Sequence, residues 1–180
     1  MKKIIAIIAG EPNSISSEII FKSWKKRNEY KHKPFIIIGS TELLNSQKKK
    51  LNYRMKIKSI NDNFENYDFS KNCMPVYNID YKQKKPFQKI SSRSNSYILK
   101  SFKAALNLVK NKKIYGFINC PIDKNYLFNK KYQGITEFLA NKSKVKGKEV
   151  MLIYNKELSV ATLTTHIPIR YVGKQINKHE

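Results

Sequence analysis

The hydrophobic pattern of the chain begins with short, uninterrupted apolar runs that are separated by polar turns. Three of these runs span Ile4–Ala9, Pro34–Gly39 and Ile114–Cys120. Runs of this length without polar alternation are typical of parallel strands that are covered on both faces. Two further strand-like pieces, Met55–Ile60 and Met74–Ile79, lie in a less regular section. The pattern predicts strands there but does not define their order in a sheet.

Segments with helical spacing separate the apolar runs. One helix is expected after the first run, a second up to about Leu51, and a long amphipathic helix over residues 91–113. This alternation predicts an α/β fold, a mostly parallel sheet flanked by helices. No repeat or linker divides the chain, so one α/β region is expected over residues 1–180. Hydroxyl side chains suited to capping stand at Ser14, Ser16 or Ser17 for the first helix and at Ser40 or Thr41 for the second.

The last part of the chain is predicted to form a hairpin over 149–154 and 158–163. Its second strand is apolar and β-branched, as a buried strand prefers, and leads into a polar turn that ends at His166. Pro168 then suits the first turn of a following helix. Because ligands in open α/β sheets collect outside the carboxyl ends of strands, His166 is a candidate metal ligand or proton carrier. A hydrogen-bonded structural role is the alternative for a lone histidine.

Two other polar turns follow predicted strands and offer candidate ligand contacts. The turn Gly10–Ser14 precedes a helix start, whose backbone N–H groups suit an anion. It lacks the glycines of phosphate-binding and dinucleotide-binding loops. After the third run, Asp123 is expected to cap a short helix, and Lys124 could direct an ammonium group at a ligand. An exposed lysine with no ligand is the alternative for Lys124.

The formal net charge of +23 favours anionic partners. However, 32 of the 36 basic residues are lysines, scattered along the chain, and the longest run is Lys48–Lys50. Specific nucleic-acid binding relies on arginine for bidentate contacts, so this composition disfavours a nucleic-acid binder. A phosphorylated small-molecule substrate would also benefit from the positive field.

The two cysteines, Cys73 and Cys120, do not form a metal-binding or redox pair by their spacing. No apolar run is long enough to span a bilayer, so no membrane association is expected. The first run is followed by Gly10–Pro12 rather than a cleavage site, so no export signal is expected. The sequence therefore predicts a cytoplasmic protein with reduced thiols.

Four segments, taken in order, resemble the 4-hydroxythreonine-4-phosphate dehydrogenase family. They are Gly10-Glu11-Pro12, Asn119–Lys124, Gly134–Phe138 and Thr164–Pro168. Each segment is short, but together they span essentially the whole chain at the expected spacings. The resemblance implies a fold like that of isocitrate and isopropylmalate dehydrogenases. It also implies a homodimer with the active site near the subunit interface.

The activity that the resemblance implies is an NAD-dependent oxidation in pyridoxal phosphate biosynthesis. The secondary hydroxyl of 4-phosphooxy-L-threonine is oxidised, and the resulting β-keto acid loses carbon dioxide. A divalent metal (Zn, Mg, Mn or Co), held by three histidines, polarises the hydroxyl and then the ketone. The catalytic and NAD-binding residues of this chain are not identified by the resemblance.

Residue by residue, the resemblance places metal binding at His166 and substrate binding at Thr136, Ile135 and Lys124. Thr136 matches the threonine of the family's Gly-His-Thr-Glu-Phe motif, whereas Ile135 replaces the histidine and cannot donate a hydrogen bond. Lys124 matches a lysine that follows a Gly-Pro pair, although Cys120 replaces that glycine. The family's first loop continues with Ala-Gly-Ile-Gly-Pro-Glu, and here serines replace its two glycines, at positions 14 and 16. A changed loop shape is therefore expected.

Family members continue well beyond position 180, where the other two metal histidines lie. We therefore interpret this chain as the amino-terminal portion of such an enzyme or a truncated product. Two alternatives are a related dehydrogenase for another phosphorylated hydroxy acid, which Ile135 favours, and a truncated binding domain without redox activity. An unpaired strand edge and an exposed apolar face are expected to make the chain self-associate.

Overall fold

The structure is a computed structural model that describes residues 3–30, 34–70, 72–129, 131–164 and 167–176. The chain divides into two compact units, Met1–Leu127 and Phe128–Glu180. The expectation of one α/β region over residues 1–180 stays a prediction.

The first unit is built on a five-stranded sheet in which every pair of neighbouring strands is parallel. The strand order is β3-β4-β2-β1-β5. The α/β prediction is thereby confirmed, and the two strand-like pieces in the irregular section take places at one edge. The strands are β1 (Ile5–Ile8), β2 (Phe35–Gly39), β3 (Lys56–Ile60), β4 (Cys73–Asn78) and β5 (Gly116–Asn119).

Helices cover the two faces of this sheet. The first-unit helices are α1 (Ser16–Lys25), α2 (Thr41–Lys50) and α3 (Asn95–Lys110), and α4 (Lys124–Phe128) follows β5. Helix α3 lies against β1, β2 and β5, whereas α2 lies against α1, β3 and β4. Side chains from α1, α2 and the strands form one buried cluster that includes Phe21, Trp24, Ile37, Leu44 and Met74. Short 3-10 turns occur at Arg27–Tyr30, Phe64–Asn66 and Ser92–Ser94.

The order of the strands creates a switch point between β1 and β5. The chain moves from β1 to β2 in one direction and later places β5 on the opposite side of β1. The carboxyl ends of β1 and β5 therefore lie side by side at this point. In open α/β sheets the crevice at a switch point is where ligands bind.

The second unit contains α5 (Ile135–Lys142) and a two-stranded antiparallel hairpin of β6 (Leu152–Tyr154) and β7 (Ser159–Ala161). A 3-10 turn, Ile169–Tyr171, and α6 (Val172–Gln175) follow Pro168. The hairpin and the short helix after Pro168 were both predicted. Rings of Phe128, Tyr132 and Phe138 pack with centroids 5.2–5.5 Å apart.

The expectation of a buried strand before His166 is wrong for the described residues. All residues of β6 and β7 are exposed, with Leu152 at 60% and Val160 at 45%. A two-stranded hairpin buries a face only when another layer lies on it, and apolar composition alone does not supply that layer. Among the described residues, no helix is long and apolar enough to cross a membrane.

Candidate functional site at the carboxyl ends of the strands

Two family-like segments that are more than a hundred positions apart meet at the switch point. Gly10 follows β1 with a φ of +67°, a conformation that favours glycine. A Cβ at this position would lie 2.5 Å from the carbonyl oxygen of Pro121 and 2.8 Å from that of Cys120. The next residue, Glu11, donates its backbone N–H to the Pro121 oxygen at 2.9 Å. The loops after β1 and β5 are therefore joined with no room for a side chain between them.

The Glu11 carboxylate is buried behind this junction, with 2% of the residue exposed. Its Oε1 accepts hydrogen bonds from the backbone N–H and side-chain amide of Asn13, at 3.1 and 3.3 Å. Its Oε2 accepts the hydroxyl of Ser94 at 2.7 Å. Three donors thus stabilise a buried carboxylate and connect the first loop to the turn that precedes α3.

The two serines that replace family glycines fit this loop without a left-handed backbone, since neither Ser14 nor Ser16 has a positive φ. The Ser14 hydroxyl donates to the Glu11 carbonyl at 2.8 Å and accepts the Ser16 N–H at 3.2 Å. The Ser16 hydroxyl reaches the Pro121 oxygen at 3.4 Å. Of the three serines predicted to cap α1, Ser14 accepts a hydrogen bond from a backbone N–H of the first turn. The residue at the N-cap position is Ile15, whose side chain cannot accept a hydrogen bond.

A segment of irregular structure, residues 79–91, lies against the first loop. The Asn13 side-chain oxygen accepts the Gln88 N–H at 2.8 Å and the Gln83 amide at 3.1 Å. From α2, the buried Gln47 amide donates to the carbonyls of Pro12 at 2.6 Å and Pro86 at 2.9 Å. These contacts fix the 79–91 segment beside the carboxyl ends of β1 and β2.

Two tyrosines stack near the end of β2, where Ser40 caps α2 as predicted by accepting the Leu43 N–H at 3.2 Å. The rings of Tyr81 and Tyr97 lie 4.7 Å apart, and the Tyr97 oxygen accepts the Ser40 N–H at 3.2 Å. Burial raises the pKa of Tyr97 above its ordinary value. Burial also raises the pKa of Tyr81, as does the Glu11 carboxylate, while the nearby Arg93 guanidinium opposes that rise. Both phenols therefore stay protonated at neutral pH and act as hydrogen-bonding groups.

The cysteine that replaces a family glycine, Cys120, is buried at the end of β5. Desolvation raises the pKa of its thiol to about 11, so it is a neutral packing group at neutral pH. The predicted cap after this strand is confirmed, because Asp123 Oδ1 accepts the Tyr126 N–H at 3.0 Å.

The structure places the predicted substrate residues as follows. Lys124 is exposed at the first position of α4, in the first unit. Ile135 and Thr136 are together in the first turn of α5, in the second unit, where Ile135 is half-buried and Thr136 is exposed. Their substrate roles stay predictions.

His166, the predicted metal ligand, lies outside the described residues. Within the described residues, no group of three or more His, Cys, Asp or Glu side chains could hold a metal ion.

Sequence reasoning did not identify the groups that hold the switch point together. Glu11, Asn13 and Ser94 are polar residues in turns, a position in which most side chains are solvated. Gln47 stands before the lysines that end α2, and nothing in that pattern indicates that it is 1% exposed. The one available signal was Gly10-Glu11-Pro12 directly after a buried run.

The parallel sheet and the joined loops at its switch point define an open α/β protein, a class in which ligands bind at the carboxyl ends of the strands. A sequence model of the family described as pyridoxal phosphate biosynthetic protein PdxA matches residues 31–180. The chain belongs to this family.

Named relatives agree with this assignment. The 4-hydroxythreonine-4-phosphate dehydrogenase of Sulfurihydrogenibium sp. is 32% identical over 98% of this chain and 53% of its own length. That of Aquifex aeolicus is 32% identical over 100% of this chain and 55% of its own length. The crystal structure of 4-hydroxythreonine-4-phosphate dehydrogenase from Klebsiella pneumoniae has the same fold, with a TM-score of 0.83 at 23% identity, over 97% of this chain and 55% of that one. The chain thus spans about half the length of the relatives it matches.

Proposed function

We propose that this chain takes part in the NAD-dependent oxidation and decarboxylation of 4-phosphooxy-L-threonine, a step in pyridoxal phosphate biosynthesis. The observation that carries the proposal is the meeting of two family-like segments at the switch point, where the Glu11 N–H binds the Pro121 oxygen. The family assignment over residues 31–180 and the names of the relatives support this substrate class. A cytoplasmic homodimer is part of the proposal.

In this proposal the chain's own residues bind and orient the substrate. The exposed hydroxyl of Thr136 can donate to or accept from a polar group of the substrate. The exposed ammonium of Lys124 suits a phosphate or carboxylate. His166 would be one ligand of a divalent metal, which would supply Lewis-acid polarisation of the secondary hydroxyl when bound, and NAD would supply the hydride acceptor.

The test measures NADH formation from 4-phosphooxy-L-threonine with added zinc, magnesium, manganese or cobalt. The chain is assayed beside a version extended by any natural downstream coding sequence. His166→Ala is expected to abolish the activity of the active form, whereas His32→Ala, which changes a histidine that matches no family metal ligand, is expected to retain it. Equal activity of the two variants would contradict the role of His166.

A second candidate function is the oxidation of another phosphorylated hydroxy acid, such as a threonate or erythronate phosphate. Ile135 favours it, because an isoleucine in the first turn of α5 offers no hydrogen bond where the family has histidine. Activity on these acids but not on 4-phosphooxy-L-threonine would support this candidate. Two variants, Ile135→Ala and Ile135→His, are then assayed on 4-phosphooxy-L-threonine. Greater recovery of activity with histidine would show that a hydrogen bond to the substrate was missing. Equal recovery with alanine would show that the isoleucine side chain only crowds the substrate.

A further inference from the structure

A polar groove lies between one side of α3 and the carboxyl end of β4. It is lined by α3 side chains and by residues 77–79. Met74 and Val76 of β4 point into the core cluster on the other face, so strand alternation turns Tyr77 towards the groove. The groove has a volume of about 420 Å³, within the range of small-molecule sites.

The chemistry of the groove is that of an anion site. Three lysines, Lys100, Lys103 and Lys113, line it together with one acidic residue, Asp62. Burial and the neighbouring Asp62 raise the pKa of Tyr77, so its phenol stays a neutral hydrogen-bonding group beside the lysines. Side-chain amides of Asn107 and Asn111 add neutral donors, whereas the Asn78 amide already donates to Asp80 at 2.7 Å.

Helix geometry gathers these groups on one side of α3. Lys100, Lys103 and Asn107 follow each other at spacings of three and four, so they form one stripe. The opposite stripe, which includes Phe102 and Ala105, is buried against the sheet. Helix α3 contains no Asp or Glu, so no acid on its own surface pairs with Lys100 or Lys103. Two ammonium groups one turn apart repel each other, and an anion between them would remove that repulsion.

We propose that this groove binds a small organic phosphate. A phosphate group offers several acceptor oxygens that can bridge Lys100 and Lys103, and the asparagine amides can bind the polar remainder of the molecule. The concave shape and small volume favour a metabolite over a nucleic-acid backbone, which would need an extended surface. The proposal does not depend on the dehydrogenase function.

The test is titration calorimetry of the chain with inorganic pyrophosphate in the absence of NAD, metal and substrate. Lys100→Gln with Lys103→Gln is expected to weaken pyrophosphate binding about tenfold or more, since two charge-assisted hydrogen bonds are lost. Lys49→Gln with Lys50→Gln removes the same charge from the exposed end of α2 and is expected to change affinity less than about threefold, through the long-range field alone. Lys100→Arg with Lys103→Arg should retain binding.

Circular dichroism and thermal unfolding establish that the four proteins fold alike before affinities are compared. Equal weakening in the two glutamine variants would overturn the proposal, because net charge alone would then explain binding. No heat of binding with pyrophosphate in the unmodified chain would also overturn it. Tight binding of a short oligonucleotide that pyrophosphate does not displace would assign the lysines to nucleic acid instead.

Discussion

Gly10 is the residue on which the switch point depends most directly. It combines a left-handed backbone with two carbonyl oxygens within 3 Å of where a Cβ would stand. A non-glycine residue costs about 1–2 kcal/mol in a left-handed conformation even without a clash. Here the obstacles are backbone atoms of the β5 loop, which cannot rotate away as a side chain can. The loops after β1 and β5 would have to separate.

Gly10→Ala is therefore expected to lower the free energy of unfolding by about 2 kcal/mol or more, the sum of backbone strain and crowding. Urea unfolding followed by circular dichroism measures the change. Gly116→Ala is the matched control, because Gly116 has no heavy atom within 4 Å of the added Cβ and no positive φ. The explanation fails if the two substitutions have the same effect.

At the residue scale, the sequence predicted those polar groups whose partners are local. The Ser40 cap and the Asp123 cap bind N–H groups three positions ahead, so spacing alone identifies them. Glu11 and Gln47 were not predicted, because their partners at Ser94 and Pro86 are distant in the chain. Whether serines fit at positions 14 and 16 could not be predicted from the sequence either. Only the backbone angles of the structure show that neither position needs the left-handed conformation that favours glycine.

At the element scale, the 79–91 segment is held by side chains rather than by regular structure. Gln47 is one buried attachment, joining Pro12 in the first loop to Pro86 in the segment. The Pro86 carbonyl also accepts a hydrogen bond from the Gln83 amide at 3.0 Å. It therefore keeps a donor when Gln47 is lost, whereas the Pro12 carbonyl loses the one that Gln47 supplies. Loss of Gln47 should therefore loosen the segment without releasing it completely.

Gln47→Leu, which keeps the volume and removes the amide, is expected to cost about 1–3 kcal/mol of stability. It should also speed hydrogen exchange of the Gln88 N–H, which donates to Asn13. Asn45→Ala removes an amide on the same helix that bonds only within α2, at Thr41, and is the control. Unchanged exchange at Gln88 in the leucine variant would show that the segment is held by other contacts.

The strand and helix types were largely predictable at this scale, because buried parallel strands and an amphipathic helix leave strong patterns. The positions of β3 and β4 at one edge of the sheet were not predictable. Strand order depends on how the connecting segments pack against the sheet, which the sequence pattern of a single strand does not indicate. The error at β7 has the same origin. Val160 has the composition of a buried strand, but burial requires a second layer that composition does not encode.

At the scale of the whole molecule, two opposing forces act between copies of the chain. The net charge of +23 keeps copies apart at low ionic strength. Exposed apolar side chains on the hairpin favour contact, among them Leu152 at 60%, Ile153 at 58% and Leu158 at 68%. Charge repulsion between exposed groups is screened beyond about 8 Å at physiological salt, whereas the hydrophobic contribution is not weakened by salt.

Self-association of the chain is therefore expected to increase as sodium chloride is raised, the reverse of what association driven by opposite charges would show. Light scattering and sedimentation velocity at several salt concentrations measure this dependence. Leu152→Thr with Ile153→Thr places β-branched residues, which suit a strand, at both positions of β6 while reducing apolar surface, and should suppress the salt-induced association. Ile15→Thr removes an apolar residue of the first unit that is 61% exposed, and should leave association unchanged. If association falls with salt, or if all variants associate alike, the hairpin is not the surface through which copies meet.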